Sequence, residues 1–386
     1  MAKTDTSERW FEARVVRGLT GVPQPEYSHA LAPTDFAATH NGYVQGKPTD
    51  YNRDVALDVA QLLAFLQATS PEAVETLELA AEGIKRTQFL HRLQGEITKR
   101  GVVDVLRKGV SHGPVHVDLY KLLPTPGNAA AADAFGKNIF SVTRQVRYSN
   151  DSGNELDLVI FINGLPVLTF ELKNSLTKQT LADAIVQYQT TRNPQELLFQ
   201  LGRCVAHIAV DDAEAAFCTE LNNGKASWFL PFNQGWNSGA GNPPNPDGLK
   251  TDYLWKQVLT RESLANIIES YAQVVVEEEA DPSGKKRKRR KQIFPRFHQL
   301  RTVRALLRRA HIDGVGKRYL IQHSAGSGKS NTIAWLAHQL VELRRKDDPM
   351  TVQFDSIIVI TDRRALDTQI ARTIKGYDHV AAIFGH

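Results

Sequence analysis

An α/β architecture with more than one domain is predicted for this chain from three features of its residue pattern. A stretch of helical periodicity precedes three apolar segments typical of strands, and a further helix and strand follow them. The C-terminal part of the chain then places a glycine-rich loop between a short apolar segment and a helix. The length of 386 residues exceeds one ordinary domain, so two or three domains are expected.

Helices are expected from residue 52 to about residue 107. The stretch begins with leucines at the spacing of one helix face, namely Leu57, Leu62, Leu63 and Leu66. Ser70-Pro71 then opens a second helix, because proline is tolerated in the first turn.

Strands are expected after a connection rich in proline, glycine and alanine, where the apolar period changes to two. Asn163-Gly164 separates the second and third strands and is a strong signal for a β-hairpin. The predicted order is helix, three strands, helix, strand. The predicted strands are Ile139–Tyr148, Leu156–Ile162, Pro166–Lys173 and Arg203–Val210. The predicted helix before the last strand is Thr180–Thr191.

A second α/β region is expected from Ile293 onwards. Its predicted strands are Arg318–Gln322 and Phe354–Thr361, and its predicted helices are Asn331–Arg344 and Arg364–Ile374. Composition then gives the domain limits. We assign residues 1–270 to a first domain with its core at about 80–220, residues 271–292 to a charged linker, and residues 293–386 to the start of a second domain.

Positive charge is concentrated in one run of the sequence. The chain has 47 lysines and arginines against 42 aspartates and glutamates, and seven of the 47 form the run Lys285–Lys291. Without this run the balance is 40 positive against 42 negative residues, so the rest of the chain is nearly neutral. We interpret the run as a solvated linker, with a non-specific contact to phosphates and a localisation signal as alternatives.

A cytoplasmic location is expected. No apolar run is long enough to span a membrane, and the polar N-terminus lacks the apolar core of a signal peptide. The chain has only two cysteines, Cys204 and Cys218, which fits a reducing compartment. No Cys/His cluster has the spacing of zinc ligands.

Two acidic residues and a lysine lie on the second and third predicted strands. Glu171 and Lys173 are two residues apart, so strand alternation directs them to one face of the sheet. Whether Asp157 joins them depends on the turn, because a shift by one residue reverses the face of every side chain. A plain two-residue loop would separate the two carboxylates. We therefore predict a three-residue loop or a β-bulge.

This arrangement is suited to phosphodiester hydrolysis. The carboxylates of Asp157 and Glu171 can hold Mg²⁺, which prefers oxygen ligands. Such a metal activates water and neutralises charge on the scissile phosphate. Lys173 can orient or deprotonate the water, or stabilise the pentavalent state. A solvated sheet face is the alternative explanation for the same three residues.

The pattern Asp157…Glu171-x-Lys173 resembles that of the PD-(D/E)xK nucleases. The run LDLVIFINGLPVLTFELKN, with Gln187-Tyr188 and Arg192-Asn-Pro194 after it, resembles the nuclease domain of the DNA-cleaving subunit of type I restriction enzymes. In that family a glutamine on the following helix, four residues before a tyrosine, supports the site. Gln187 matches it, whereas position 191 is threonine and the tyrosine is the next residue. Glu96 is a candidate for a further metal-ligating glutamate from the preceding helix.

The segment from His323 to Ser330, HSAGSGKS, resembles a phosphate-binding loop between a strand and a helix. Its glycines let backbone N–H groups approach phosphates at the positive end of the helix, although the general pattern has glycine or alanine where this chain has His323. Lys329 would reach the β- and γ-phosphates, and Ser330 would ligate Mg²⁺. The expected ATP-binding residues of the loop are Gly326, Ser327, Gly328, Lys329 and Ser330.

Two flanking segments resemble motifs of superfamily 2 helicases. In the first, Gln299 matches the glutamine that hydrogen-bonds adenine, and Phe294 or Phe297 matches the stacking aromatic residue. In the second, Arg363 follows a buried strand and is a candidate contact to the DNA backbone.

The resemblance implies a PD-(D/E)xK nuclease domain with an αβββαβ core, followed by an incomplete RecA-like lobe of a DNA motor. It implies Mg²⁺ and ATP as cofactors, double-stranded DNA as substrate, and methyltransferase and specificity subunits as partners. Efficient ATP hydrolysis is not expected, because the motor's acidic pair, arginine finger and second lobe do not occur before residue 386. The alternatives are a translocase with a degenerate nuclease site and a non-catalytic module that docks on the methyltransferase core.

Overall fold

The computed structural model describes residues 8–24, 41–224, 227–280, 286–361 and 373–374. The chain divides into two compact units. The N-terminal unit comprises residues 1–124 and 128–294, and the C-terminal unit comprises residues 125–127 and 295–386.

Among the described residues, the N-terminal unit contains the first eight α-helices and the thirteen strands, and the C-terminal unit contains the last two α-helices. The α-helices are α1 (Glu8–Thr20), α2 (Val59–Thr69), α3 (Pro71–Thr76), α4 (Ile84–Arg100), α5 (Val102–Lys108), α6 (Ala129–Gly136), α7 (Leu181–Thr190), α8 (Arg261–Ser270), α9 (Phe297–Asp313) and α10 (Lys329–Glu342). The strands are β1 (Val44–Gln45), β2 (Tyr51–Asn52), β3 (Leu57–Asp58), β4 (Val110–His112), β5 (Val115–Val117), β6 (Phe140–Arg147), β7 (Glu155–Ile162), β8 (Leu165–Leu172), β9 (Ala206–Val210), β10 (Ala215–Cys218), β11 (Leu230–Pro231), β12 (Gln273–Ala280) and β13 (Lys286–Ile293). Short 3₁₀ or π turns lie at Pro48–Asp50, Ser175–Thr177, Leu197–Phe199 and Leu254–Val258.

A mixed seven-stranded sheet forms the centre of the N-terminal unit, in the order β1-β6-β7-β8-β9-β10-β11. The β1–β6 and β8–β9 pairs are parallel and the other pairs are antiparallel. The chain passes from β8 to β9 through α7, since parallel neighbours need a crossover connection. The predicted order of helix, three strands, helix and strand is therefore present.

Local sequence explains where several of these elements begin and end. Asp58 caps α2, and its side chain accepts a hydrogen bond from Gln61 N at 3.0 Å. Gly101 separates α4 from α5 with a φ of 89°, a conformation that favours glycine. At α7 the side chains of Thr180 and Asp183 form a capping box.

The core of the N-terminal unit lies on both faces of the sheet. Every residue of β8 and β9 is buried. Aromatic residues from α7 and the chain after it, including Tyr188 and Phe199, pack on one face with Val159 and Phe161. The strand that carries Glu171 is therefore covered on both faces and paired along both edges.

The expected charged linker at residues 271–292 is wrong as a description of this segment. Strands β12 and β13 form an antiparallel hairpin that sets Glu277 opposite Arg289, Glu278 opposite Lys288 and Glu279 opposite Arg287. Opposite charges directly across a ladder stabilise strand pairing, so the acidic and basic runs fold against each other. Composition indicated a linker because it does not show which segments pair.

The C-terminal unit contains α9 packed against α10. The predicted strands Arg318–Gln322 and Phe354–Thr361 are wrong for the described residues, and the exposed fractions of Leu320 and Ile360 are 94% and 88%. A parallel strand needs neighbours that pair with its backbone and cover its faces. In this unit the described residues provide no such neighbouring strand. The predicted helix Arg364–Ile374 lies almost wholly outside the described residues.

Among the residues that the structure describes, no helix is both long enough and apolar enough to cross a bilayer.

Candidate functional site

A tight hairpin aligns β7 with β8. Asn163 and Gly164 form its two-residue turn with φ values of 51° and 79°, and positive values at both positions suit a turn of this length. The buried Asn163 side chain accepts from Ile139 N at 2.7 Å and donates to Leu119 O at 2.9 Å. These bonds hold the turn in one place.

A β-bulge shifts the register just beyond this turn. Phe161 pairs with Pro166, whereas Ile160 pairs with Leu168, so Val167 is the additional residue on β8. Proline has no N–H for a ladder bond, and within sheets it occurs mainly at edges and bulges.

The shifted register puts the two candidate carboxylates opposite each other. Leu158 pairs with Phe170, and the next residues along the two strands are Asp157 and Glu171. Side chains at directly opposed positions lie on the same face. The predicted bulge is therefore confirmed, and the two-residue turn does not separate the carboxylates.

Asp157, Glu171 and Lys173 lie together at this face. Glu171 is 0% exposed, Lys173 is 7% exposed and Asp157 is half-buried. Asp157 Oδ2 accepts a hydrogen bond from Leu172 N at 2.6 Å. Burial and the charge of Glu171 raise the pKa of Asp157 well above its ordinary value, while the Leu172 N–H and Lys173 oppose the rise. Two carboxylates this close repel each other unless a proton or a cation compensates them.

Arg192 supplies a buried cation to the pair. Its Nε donates to Glu171 Oε1 at 2.6 Å, its Nη2 to Glu155 O at 2.8 Å and its Nη1 to Tyr148 Oη at 3.3 Å. The Arg192 and Glu171 side chains are 4% and 0% exposed. Burial disfavours the charged guanidinium, but the hydrogen bond and charge of Glu171 together with Tyr148 outweigh it and raise the pKa of Arg192. Arg192 therefore fixes the orientation of Glu171.

Glu12 brings a third carboxylate to the neighbourhood from α1. It is 2% exposed and accepts from Arg144 Nε at 3.1 Å and from Gln145 Nε2 at 2.7 Å. Its charge contributes to the raised pKa of Asp157. Gln145 has a positive φ of 50° where β6 passes Asp157, a conformation that costs free energy in a non-glycine residue.

A buried polar chain lies next to Glu171 on the same strand. Thr169 Oγ1 is 2.9 Å from Tyr188 Oη and 2.8 Å from His207 Nδ1. Burial lowers the pKa of His207 to about 3, so the imidazole is neutral at physiological pH. Burial and the charge of Glu171 raise the pKa of Tyr188 well above its ordinary value. Both groups therefore act here as neutral hydrogen-bonding partners.

Two further sequence candidates lie elsewhere. Gln187 is half-buried on α7. Within the described part of the chain, the hydrogen bonds to this residue are those that its backbone carbonyl accepts from Thr191. Glu96 on α4 forms ion pairs with Arg92 and Arg100, both at 3.1 Å. Glu96 as a metal ligand stays a prediction, and Glu12 is a carboxylate whose charge acts on Asp157.

The donor set of Asp157 and Glu171 fits a hard divalent cation. Both provide carboxylate oxygens, and a cation would relieve the repulsion that raises the pKa of Asp157. Over the part of the chain that the structure describes, no group of three or more His, Cys, Asp or Glu side chains could hold a metal. Water and phosphate oxygens would complete the shell, as is usual for Mg²⁺.

The candidate nucleotide loop begins α10. Gly326 and Gly328 have φ values of 72° and 83°, and Gly328 is the N-cap of the helix. Lys329 Nζ donates to Ser324 O at 2.9 Å and to His323 O at 3.3 Å. The ammonium group therefore lies across the loop, at the positive end of the helix dipole.

Gln299 joins α9 to this loop. Its Nε2 donates to Gly328 O at 2.8 Å, and its Oε1 accepts from Arg296 N at 2.9 Å. Phe294 is wrong as the adenine-stacking candidate, because it packs in the N-terminal unit with its ring centroid 5.1 Å from that of Phe217. Phe297 remains as the candidate, and Arg363 lies outside the described residues.

Sequence reasoning missed Arg192 and Glu12 as members of the site. Arg192 lies beyond the end of α7 at Thr190, so helix periodicity does not place it, and the sequence marks it only as part of the Arg-Asn-Pro run. Glu12 lies far from Asp157 in sequence, and no local pattern connects the two.

Two regions of the chain match the models of two different protein families. Residues 52–226 match the family described as the type I restriction enzyme R protein N terminus. Residues 298–382 match the SWI2/SNF2 ATPase family. The chain is also similar to a putative type I restriction enzyme MjaIXP endonuclease subunit of Methanocaldococcus jannaschii, with 24% identity over 265 residues. The match covers 61% of this chain and 22% of that relative, so the chain spans about a fifth of its length.

Proposed function

We propose that the N-terminal unit is a nuclease that cuts double-stranded DNA with Mg²⁺, because residues 52–226 match the family described as the type I restriction enzyme R protein N terminus. The observation that supports this most directly is the register of β7 and β8, which sets Asp157 against Glu171 with Lys173 beside them. Family membership alone would not require these three residues to share one face.

Each residue of the proposed site has a distinct role. Asp157 and Glu171 would hold the metal, which supplies charge neutralisation and water activation when bound. Lys173, largely buried beside them, would orient the attacking water or stabilise negative charge on the phosphate. Arg192 holds Glu171 in one orientation through its 2.6 Å hydrogen bond. Gln187 is retained as a candidate on the outer part of α7.

We propose ATP binding at the loop that begins α10. Backbone N–H groups around Gly326, Ser327 and Gly328 would receive the phosphates, Lys329 would contact the β- and γ-phosphates, and Ser330 would ligate Mg²⁺. Gln299 would recognise adenine. The family match over residues 298–382 supports this assignment. ATP-driven translocation, and contact of Arg363 with the DNA backbone, belong to the same proposal.

We propose that the chain acts within a complex of methyltransferase and specificity subunits in the cytoplasm. The matching family is described as a type I restriction enzyme R protein N terminus. The resemblance implies that cutting is one part of a larger assembly, in which the specificity subunit would read the DNA.

A non-cleaving protein is the second candidate. The buried Arg192–Glu171 ion pair favours it, because a guanidinium at 2.6 Å already compensates one of the two carboxylates. In that case the fold would serve for docking or translocation while the carboxylates remain without metal.

A calorimetric Mn²⁺ titration with a short DNA duplex present separates these candidates. The intact chain is expected to bind the metal, Glu171→Gln is expected to lose that binding, and Glu72→Gln is the control at an exposed carboxylate on α3. Equal binding by all three proteins, or binding by none, would favour the non-cleaving candidate. Cleavage of supercoiled plasmid by the intact chain and not by Glu171→Gln would complete the test.

A further inference from the structure

The hairpin of β12 and β13 carries most of the positive charge that distinguishes this chain from a neutral protein. We call it the basic ribbon. Strand β13 contains six consecutive basic residues, Lys286–Lys291, and the facing strand β12 contains three acidic residues, Glu277–Glu279. The paired strands therefore have an excess of three positive charges. The whole chain outside the run Lys285–Lys291 has 40 positive and 42 negative residues.

The base of the ribbon is fixed to the N-terminal unit. Gln292 is 2% exposed, and its Nε2 donates to Gln273 O at 3.1 Å. Arg290 Nη1 donates to Thr98 O at 3.0 Å. Val274 packs so closely on Gly101 that a methyl group there would lie 2.8 Å from Val274 Cγ2. The base of the ribbon is thus packed against this unit.

Its basic side chains point into solvent over much of their length. Arg287 and Lys288 are exposed, and the side chains of Arg289 and Lys291 are each 54% exposed. Their ion pairs are exposed to solvent: Lys291 Nζ lies 3.9 Å from Glu277 Oε2, which is itself 47% exposed, and Arg289 Nη2 lies 3.1 Å from Glu220 Oε2. Exposed ion pairs contribute little free energy, so these groups can exchange partners at low cost.

We propose that the basic ribbon is a DNA-backbone contact surface, at which Arg287, Lys288 and Lys291 bind the phosphates of duplex DNA. A two-stranded ribbon is narrow enough to lie along or enter a major groove. Closely spaced lysines and arginines neutralise successive phosphates, and release of counterions drives the association. Base sequence would not matter, because phosphate contacts carry no sequence information.

The contact would increase the local concentration of DNA at the N-terminal unit. The inference therefore builds on the proposed action on duplex DNA. It does not require a formed metal site, because phosphate binding at the ribbon needs neither Asp157 nor Glu171.

Fluorescence anisotropy with a labelled duplex of mixed sequence tests the ribbon in the intact chain, with EDTA present throughout. The triple variant Arg287→Gln, Lys288→Gln, Lys291→Gln is expected to bind at least about tenfold more weakly at moderate salt. The slope of log K against log salt should fall by about 0.9 for each phosphate contact removed. The matched control removes three exposed lysines elsewhere in the N-terminal unit, Lys85, Lys108 and Lys137.

A gain-of-binding variant tests the proposal even if the triple variant misfolds. Glu277→Gln removes one acidic neighbour of Lys291 and is expected to tighten DNA binding and steepen the salt slope. Equal losses in the ribbon variant and the lysine control would overturn the proposal, as would unchanged affinity in both ribbon variants. Unchanged DNA affinity together with weaker binding to an acidic protein subunit would also overturn it, in favour of protein docking. Glu171→Gln should bind the duplex like the intact chain, so failure of the metal site and failure of the ribbon are distinguishable.

Discussion

At the scale of single residues, the candidate site is a compensated cluster of buried charges. Glu171 is fully buried, and Arg192 and Lys173 are its nearby cations. Burying a charge is costly unless a partner and hydrogen bonds compensate it. Arg192 therefore links the stability of the fold to the state of a proposed metal ligand.

Arg192→Gln is expected to lower the free energy of unfolding by at least about 3 kcal/mol, because it leaves Glu171 buried without its guanidinium partner. The double variant with Glu171→Gln should regain much of this loss, since both charges are then absent. Urea denaturation measures both effects.

Arg147→Gln is the control for that experiment, because it breaks the exposed pair with Glu155, whose side chains are 65% and 30% exposed. Such pairs typically contribute below about 1 kcal/mol. If Arg192→Gln lowers the free energy of unfolding no more than the control does, the buried pair stabilises the fold no more than an exposed pair.

His207 predicts a pH dependence of stability on the acidic side. Burial lowers its pKa in the folded state to about 3 from an ordinary value of 6.5, so the unfolded state binds more protons between these values. The free energy of unfolding should therefore fall as the pH drops from 6.5 towards 3, by up to about 1.4 kcal/mol per unit. His207→Gln should make the pH profile flatter over this window.

The exposed His91 on α4 provides the matched control for this pH experiment. His91→Gln should leave the slope of the intact chain unchanged. The assignment to His207 would be contradicted by an equal change of slope in both variants.

At the scale of elements, the turn between β7 and β8 decides the face on which Asp157 lies. A methyl group on Gly164 would lie 2.2 Å from Asp58 O and 2.7 Å from Leu62 N. The turn is therefore packed against the start of α2, and the bulge at Val167 follows three residues after Gly164. The register of the carboxylates depends on this contact.

Gly164→Ala is expected to displace the hairpin from α2 and to weaken Mn²⁺ binding, because the bulged register loses its anchor. It also adds strain at a φ of 79°. Gly113→Ala is the control, with a φ of 59° but no atom within 4 Å of the added methyl group. The control should cost only the backbone strain of about 1 kcal/mol. Thermal unfolding and calorimetry measure the two effects, and equal outcomes for both variants would contradict a role for the α2 contact.

Sequence patterns predicted the central elements better than the peripheral ones. The apolar alternation around Asp157 and Glu171 is long and regular, so the strands and their shared face could be predicted once a bulge was allowed. The ribbon was mistaken for a linker because charge composition does not show that Glu277 pairs across from Arg289. Phe294 was assigned to nucleotide binding because a local aromatic pattern does not show which core it joins.

At the scale of the whole molecule, the chain consists of two compact units with separate proposed chemistry. The carboxylate site and the basic ribbon lie in the N-terminal unit, and the nucleotide loop lies in the C-terminal unit. Family boundaries agree with this division, since one match ends at residue 226 and the other begins at residue 298.

Residues 1–294 alone are expected to fold cooperatively and to retain Mn²⁺ binding, because the seven-stranded sheet and its covering helices lie within them. They should bind no ATP analogue, whereas the intact chain should bind one that Lys329→Ala does not. Circular dichroism and calorimetry report these outcomes. A truncated protein that is unfolded, or one that still binds the analogue, would contradict the assignment of metal binding and nucleotide binding to separate units.

The position of Glu171 on a strand that is hydrogen-bonded along both edges has a consequence for exchange of backbone hydrogens with solvent. Amides in the middle of such a sheet open only when the surrounding sheet opens, so those of β8 and β9 should be among the slowest to exchange in the protein. Local fluctuations would then leave the spacing of the carboxylates unchanged. The capacity to hold a cation would persist undiminished on heating until the domain as a whole melts.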